Sequence, residues 1–150
     1  MKVDVEARPS YGMAVVTLDK GETFVSESGA MVAMSSGLSV DTKFNGTGTG
    51  FIGWFKAMLA GMARKFLAGE SMFVNHFTAD TDGQQVMLAP ALVGDFERIR
   101  MKGRTVTVQA TSYLASGTGV NVSLVWGGFS MLFGGEGAFF LECTGKGPLL

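Results

Sequence analysis

The chain has 150 residues, of which 47% are hydrophobic and 17% charged, so it has enough apolar side chains for one packed domain and is not disordered. Its formal net charge of -1 argues against a protein that binds nucleic acid through a general basic excess. One cysteine and one histidine exclude an intrachain disulfide and a zinc cluster of Cys and His ligands. No apolar run is long enough to cross a membrane and the N-terminus lacks the pattern of a signal peptide, so we expect a cytoplasmic protein.

Short segments rich in β-branched and aromatic residues recur along the chain and are separated by turns that contain glycine. In the run 120–124, apolar and polar residues alternate, which is typical of a half-buried β-strand. The sequence therefore predicts an all-β fold. The expected strands are Ala14–Leu18, Thr23–Ser26, Met31–Met34, Leu38–Thr42, Met72–Thr78, Gln85–Leu88, Phe96–Met101, Thr105–Gln109, Val120–Trp126 and Ala138–Cys143.

The pattern of the first half of the chain returns in the second half. A shift of 82 residues places Gly21 on Gly103 and Gly37 on Gly119, and further along a shift of 66 places Gly69 on Gly135. The first copy therefore has 16 additional residues. We predict a single domain of two tandem units, the first at about residues 10–95 and the second at about 96–150, each of which needs a neighbour to bury its apolar face.

The additional residues coincide with a segment whose periodicity predicts an amphipathic helix over 51–67. Apolar residues cover more than one face of this segment, and its charged residues are all basic. Three roles stay open for it: a contact between subunits, a contact with a membrane surface, and a lid over the domain's own barrel. The candidate interaction surface consists of Phe51, Trp54, Phe55, Met58 and Met62.

A glycine motif precedes this helix. The run 48–53 reads G-x-G-x-x-G, which in a parallel βαβ unit would hold a dinucleotide, and Glu70 follows at a suitable distance. The neighbouring strands alternate, unlike those of a parallel sheet, and Glu70 recurs as Glu136 in the second unit. A loop that leads into the helix explains the motif better, and no cofactor is predicted.

Few other residues suggest chemistry. His76 is expected on the polar face of a strand, since Glu142 occupies its place in the second unit. Cys143 replaces an aromatic residue of the first unit and is expected to be a small buried side chain. Asp80 and Asp82 resemble part of a calcium loop that lacks its glutamate, so a turn is the better interpretation. No catalytic residue and no metal ligand is predicted.

Several runs, in this order, resemble the altered-inheritance-of-mitochondria protein family, the twenty-fourth of that naming series. The resemblance covers essentially the whole chain. The runs that carry it are Pro9-Ser10-Tyr11, Leu18-Asp19-Lys20-Gly21-Glu22, Glu27-Ser28-Gly29-Ala30-Met31-Val32, Gly69-Glu70-Ser71-Met72-Phe73, Asn75-His76-Phe77-Thr78-Ala79, Gly135-Glu136-Gly137 and Thr144-Gly145-Lys146-Gly147-Pro148.

The resemblance implies a short double-stranded β-helix, similar to the tryptophan RNA-binding attenuation protein (TRAP), with tandem units that form ring-like assemblies. It implies no catalytic residues. Eukaryotic members are tied to the organisation of the mitochondrial inner membrane, and prokaryotic members have no assigned function. Members usually run longer, so the chain is expected to be either truncated or a short member that completes its sheet with a partner.

The first functional hypothesis is a non-catalytic, homo-oligomeric assembly or scaffold protein. The alternative is a module that binds a small ligand or a nucleic acid on a ring-like β assembly, although the near-neutral charge argues against nucleic acid. Peripheral membrane contact stays open, and an enzyme is not predicted.

Overall fold

Antiparallel β-strands form the regular structure of the protein, as described by a computed structural model for residues 1–44, 73–126 and 139–150. A single 3₁₀ turn, Ala110–Ser112, joins two of the strands. In these ranges the fold is therefore all-β, as the alternating sequence pattern predicts. The strands are β1 Lys2–Glu6, β2 Met13–Leu18, β3 Thr23–Glu27, β4 Met31–Met34, β5 Leu38–Phe44, β6 Phe73–Ala79, β7 Gln84–Leu88, β8 Ile99–Lys102, β9 Val106–Gln109, β10 Ala115–Gly117, β11 Val120–Trp126 and β12 Phe139–Leu149.

The strands form two sheets. The smaller has the order β1-β2-β7-β4. The larger has the order β11-β12-β10-β3-β6-β5, and β8 and β9 also pair with β12. The long β12 has β9 and β11 beside its first part, and β8 and β10 beside its last part.

Alternation explains which side chains enter the core. On β3, Phe24 and Ser26 are fully buried while Val25 between them is only half-buried. Phe24 lies directly opposite Phe77 on β6, and neither ring is exposed to solvent. Burial of a side chain of this size stabilises a fold by about 1.5–3 kcal/mol.

In the described ranges, the buried apolar side chains form two clusters. The first surrounds the Phe24–Phe77 pair and joins the two sheets. The second lies around β12 and includes Met101, Tyr113 and Cys143. Glycines with positive φ, such as Gly21 at +80° and Gly103 at +86°, make the tight turns between strands, a conformation that other residues rarely adopt.

Strand pairing follows the same register in both halves of the chain. Leu38 on β5 pairs with Ala79 on β6, and Val120 on β11 pairs with Gly145 on β12. These pairs are related by the shifts of 82 and 66 residues. A matched hydrogen bond accompanies each: the Gly21 N–H donates to the Ala79 carbonyl at 2.8 Å, and the Gly103 N–H donates to the Gly145 carbonyl at 2.9 Å.

The ten strands expected from the sequence are present, most with bounds shifted by at most about three residues, but β12 continues to Leu149, well beyond the expected end at Cys143. Two further strands, β1 and β10, were not expected. In β1, the alternation is limited to Val3 and Val5 between charged residues. Strand β10 consists of small residues, which have a low preference for β-strands. The expected helix over 51–67 and the interaction surface on it, Phe51, Trp54, Phe55, Met58 and Met62, lie outside the described residues, as does the glycine motif at 48–53.

Candidate functional site

Strand β4 lies at an edge of the smaller sheet and is exposed along its whole length. Its four residues, Met31, Val32, Ala33 and Met34, are all exposed, and Val32 is 59% accessible. Within the described ranges β4 pairs with β7 alone. An apolar edge strand whose outer N–H and C=O groups are unpaired is a template for a further strand. The register shifts between Met31 and Ala33, and the pairing of Ala33 and Met34 that follows is regular.

A second open edge belongs to β9. In the described part of the molecule this strand pairs with β12 alone, over Val106 to Gln109. Val106 and Val108 are half-buried and pack against the second apolar cluster, whereas Thr107 between them is exposed. Like β4, strand β9 therefore has room for a neighbour on one side.

A basic groove runs along β8. Arg98, Arg100 and Lys102 occupy alternate positions in the sequence and line this groove, and Arg104, the next residue of the series, lines a smaller pocket that shares these three side chains. The groove has a volume of about 650 Å³, which lies within the range of small-molecule sites. Its other lining residues come from the beginning of the chain, from β8 itself and from the last part of β12: Met1, Lys2, Val3, Ile99, Met101, Lys146, Gly147 and Pro148.

Most cations of this groove lack an acidic partner. Lys2 pairs with Asp4 at 2.8 Å, and the Arg98 guanidinium donates to the Val3 carbonyl. Within the described ranges no ion pair is formed by Arg100, Lys102 or Lys146. The groove is therefore an electropositive surface suited to an anion. The net charge of -1 gives no indication of this basic groove. The sequence signal that predicts it is a basic residue at every second position from 98 to 104.

His76 lies on β6 between β3 and β5, opposite Val25 and Asp41. The imidazole is half-buried. Burial lowers its pKa below the usual value, the positive charge of Lys43 lowers it further, and Asp41 acts in the opposite direction. The neutral ring is therefore favoured in the folded protein.

Cys143 is fully buried on β12, opposite Val106 on one side and Val122 on the other. Burial raises the pKa of its thiol, which keeps the sulfur protonated and unreactive at neutral pH. Its surroundings match the expectation of a small buried side chain. In the described ranges, His, Cys, Asp and Glu residues form no group of three or more that could hold a metal ion.

The two aspartates that resemble a calcium loop lie in the turn between β6 and β7. The Asp82 carboxylate accepts a hydrogen bond of 2.8 Å from the Lys20 N–H, and Gly83 has a φ of +75°. Asp82 thus connects this turn to the one between β2 and β3. No helix in the part of the chain that the structure covers is long and apolar enough to cross a membrane.

The sequence model of the family described as Mitochondrial biogenesis AIM24 matches residues 3–150. This chain belongs to the AIM24 family. An uncharacterized protein of Streptococcus pyogenes serotype M6 is 25% identical over 152 residues, which are 100% of this chain and 59% of that protein. The crystal structure of protein SPYM3_0169 from Streptococcus pyogenes has a TM-score of 0.70 at 18% identity and shows the same overall fold.

This AIM24-family chain is shorter than the relatives that it matches. The structural alignment covers 99% of this chain and 62% of the streptococcal protein. The candidate functional surfaces of this AIM24-family chain are the open edges of β4 and β9 and the basic groove along β8.

Proposed function

We propose that the protein is a non-catalytic scaffold that works as a homo-oligomer, with TRAP-like double-stranded β-helix units arranged in tandem. The observation that carries this proposal is the exposed apolar edge of β4. Monomeric proteins usually protect such an edge with charged residues, proline or a covering segment. Residues 31–34 contain no charge and no proline.

The occupant of this edge is a second copy of the chain. Addition of a strand satisfies the outer backbone groups of β4 and removes its apolar side chains from water at the same time. Two side chains that often take part in catalysis also support a non-catalytic role. Burial keeps the Cys143 thiol protonated, and His76 lies on a strand with a neighbouring strand on each side. A reducing, cytoplasmic compartment belongs to the same proposal, supported by the single, buried cysteine.

Light scattering after size exclusion tests the scaffold hypothesis. The chain should elute as an oligomer at tens of micromolar, and Met34→Lys should weaken association at least tenfold because it places a charge in the contact. Leu92→Lys is the matched control: Leu92 is 83% exposed and lies in a loop, so this variant should associate normally. A monomeric wild-type chain would contradict the proposal.

The basic groove supports a second candidate, a module that binds a compact polyanionic ligand. Its unpaired cations would compensate phosphate charges, and the side chains of Ile99 and Met101 on β8 are apolar. The volume of about 650 Å³ suits a small molecule better than a long nucleic acid.

Calorimetry with inorganic tripolyphosphate tests this second candidate. Binding should weaken at least tenfold in the double variant Arg100→Gln/Lys102→Gln and stay unchanged in Lys43→Gln, an exposed lysine on β5, which forms the opposite edge of the larger sheet from β11 and β12. A short single-stranded RNA forms a second arm. Preference for RNA over tripolyphosphate would favour nucleic acid as the ligand, and equal, weak binding of both by all variants would reject the site.

A further inference from the structure

We propose that β9 of one copy pairs with β4 of the next copy, antiparallel and in a defined register, so that the chains associate head to tail. This inference rests on the proposed homo-oligomer and names the two edges that form its contact. It follows from the pairing of β3 with β10, which joins the two halves of the chain, because the counterparts of these strands, β9 and β4, have open edges.

Each half contains two sets of three strands in the same order. In the first half these sets are β2-β7-β4 and β3-β6-β5. In the second half the long β12 takes the central place in both sets, which are β8-β12-β10 and β9-β12-β11. The shift of 82 residues relates β3 to β9 and β4 to β10.

The two halves are joined by pairing between β3 and β10. Ala115 lies opposite Ser26, Ser116 opposite Val25, and Gly117 opposite Phe24. The Glu27 N–H donates to the Leu114 carbonyl at 2.9 Å and extends this contact. The β3–β10 pairing is therefore a template. It shows how the counterpart of β4, which is β10, pairs with the counterpart of β9, which is β3.

The counterparts of these two strands, β9 and β4, each pair with one neighbour alone within the described residues. Ala115 and Ser116 on β10 are 0% and 1% exposed, whereas Ala33 and Met34 on β4 are both exposed, Met34 at 43%. A similar difference separates β3 from β9. Phe24 and Ser26 are fully buried, and their counterparts Val106 and Val108 are half-buried.

Applying the internal pairing to the open edges fixes the register between chains. Ala33 should lie opposite Val108 of the partner chain, and Met34 opposite the partner's Thr107. The backbone geometry agrees with this register, because the Ser35 N–H donates to the Gln85 carbonyl on β7 at 2.9 Å. Since neighbouring residues of an edge strand direct their backbone groups to opposite sides, those of Met34 face the open edge.

A contact of this kind uses different surfaces on the two copies. Such head-to-tail contacts form closed rings when the rotation between copies closes, and otherwise form filaments. Pairing of β4 with a second β4 would instead give a two-fold dimer. The two arrangements are therefore distinguishable by which residues approach each other across the contact.

Cysteine cross-linking tests the register. In directly opposite positions of antiparallel strands the Cβ atoms are about 4.5–5.5 Å apart, close to the separation that a disulfide needs. The variant Met34→Cys/Thr107→Cys should form covalent multimers at least tenfold faster than either single variant. The pair Met34→Cys/Asn121→Cys is the matched control, because Asn121 is exposed on a different edge strand, β11.

The outcomes separate this inference from the proposed function. If the wild-type chain is oligomeric and the Met34/Thr107 pair does not cross-link faster than the control, the register is wrong while the scaffold hypothesis stands. Rapid dimerisation of Met34→Cys alone would indicate β4–β4 pairing and would also overturn the inference. A wild-type chain that is monomeric, for example because other residues of a longer protein cover both edges, overturns both proposals.

Charge exchange gives a second measurement that does not depend on cysteine chemistry. Met34→Lys and Thr107→Lys should each weaken association at least tenfold. The double variant Met34→Lys/Thr107→Glu should recover it, since the lysine introduced on β4 of each copy then faces the glutamate introduced on β9 of the next. Lack of recovery in a folded double variant would contradict the proposed register.

Discussion

The hydroxyl oxygens of Tyr113 and Ser116 lie 2.9 Å apart, and both side chains are almost completely buried. Tyr113 follows the 3₁₀ turn and Ser116 is the central residue of β10, so their hydrogen bond fixes the start of the strand that joins the two halves of the chain. Burial raises the pKa of Tyr113 well above its usual value, which keeps the phenol protonated and able to donate.

Removal of one partner of this pair should destabilise the fold. Tyr113→Phe leaves the Ser116 hydroxyl buried without its partner, at a cost of about 1–3 kcal/mol in the free energy of unfolding, and Ser116→Ala has a similar effect. The double variant should cost less than the sum of the two. Urea unfolding of all four proteins measures this coupling, and strict additivity would show that the two hydroxyls do not interact.

The turn glycines allow a sharp comparison. A Cβ on Gly119 would lie 2.3 Å from the carbonyl oxygen of Lys146, so Gly119→Ala forces the backbone of two strands apart. We expect a loss of about 1–3 kcal/mol in the free energy of unfolding, or more if the strands cannot separate. Gly29→Ala is the control, because no atom lies within 4 Å of a Cβ there, and thermal unfolding should show little change or a slight gain. Equal effects of the two variants would contradict the close approach of β11 and β12.

Stability should depend on pH through His76. Because its pKa is lowered in the folded state, the unfolded chain binds the proton more readily below the ordinary value of 6.5. The free energy of unfolding therefore falls as the pH drops through 6.5. Glu27 has a pKa raised by burial and acts in the opposite direction at lower pH, so a variant is needed to isolate the histidine.

His76→Gln is that variant. Urea unfolding at pH 7.5 and pH 5.5 should show a smaller loss of stability in His76→Gln than in the wild-type chain. The reason is that glutamine has no proton to bind in the unfolded state. An identical loss in both proteins would mean that the folded structure does not perturb the histidine.

The buried thiol of Cys143 should react only when the fold opens. In the native protein at neutral pH, reaction with an aromatic disulfide reagent should be at least about a hundredfold slower than in urea, because the fraction of opened molecules is small. Asn121→Cys provides the comparison, since Asn121 is exposed and its thiol should react at once. Rapid labelling of the wild-type native protein would show that the strands beside Cys143 separate easily.

The all-β class could be predicted because alternation and turn glycines are local signals. The paired rings of Phe24 and Phe77 lie on segments that both alternate, and each was an expected strand. Strand β10 could not be predicted from its sequence, for a physical reason. Strand β10 consists of Ala, Ser and Gly, whose burial is imposed by β3 and β12 on either side and not by any preference of its own.

The candidate sites were harder to predict. The alternation of cations from Arg98 to Arg104 is local, but the groove also requires Pro148, which lies opposite Arg100 through the pairing of β12 with β8, and Met1 from the other end of the chain. The near-neutral net charge conceals this cluster because the acidic residues are distributed elsewhere. The open edges are also absent from the sequence signal, since β4 and β9 were both expected as strands and nothing local indicates on which side a strand lacks a neighbour.

Local patterns of polarity and glycine thus predicted ten of the twelve described strands and the burial of Cys143, and they show that the same pattern occurs twice along the chain. Only the tertiary structure decided which strand edges are paired and which stay open, and which cations share a groove. The physical reason is that hydrogen bonds between strands join residues distant in the chain, as Val25 and Ser116 are, so a strand's own sequence specifies its alternation but not its neighbours.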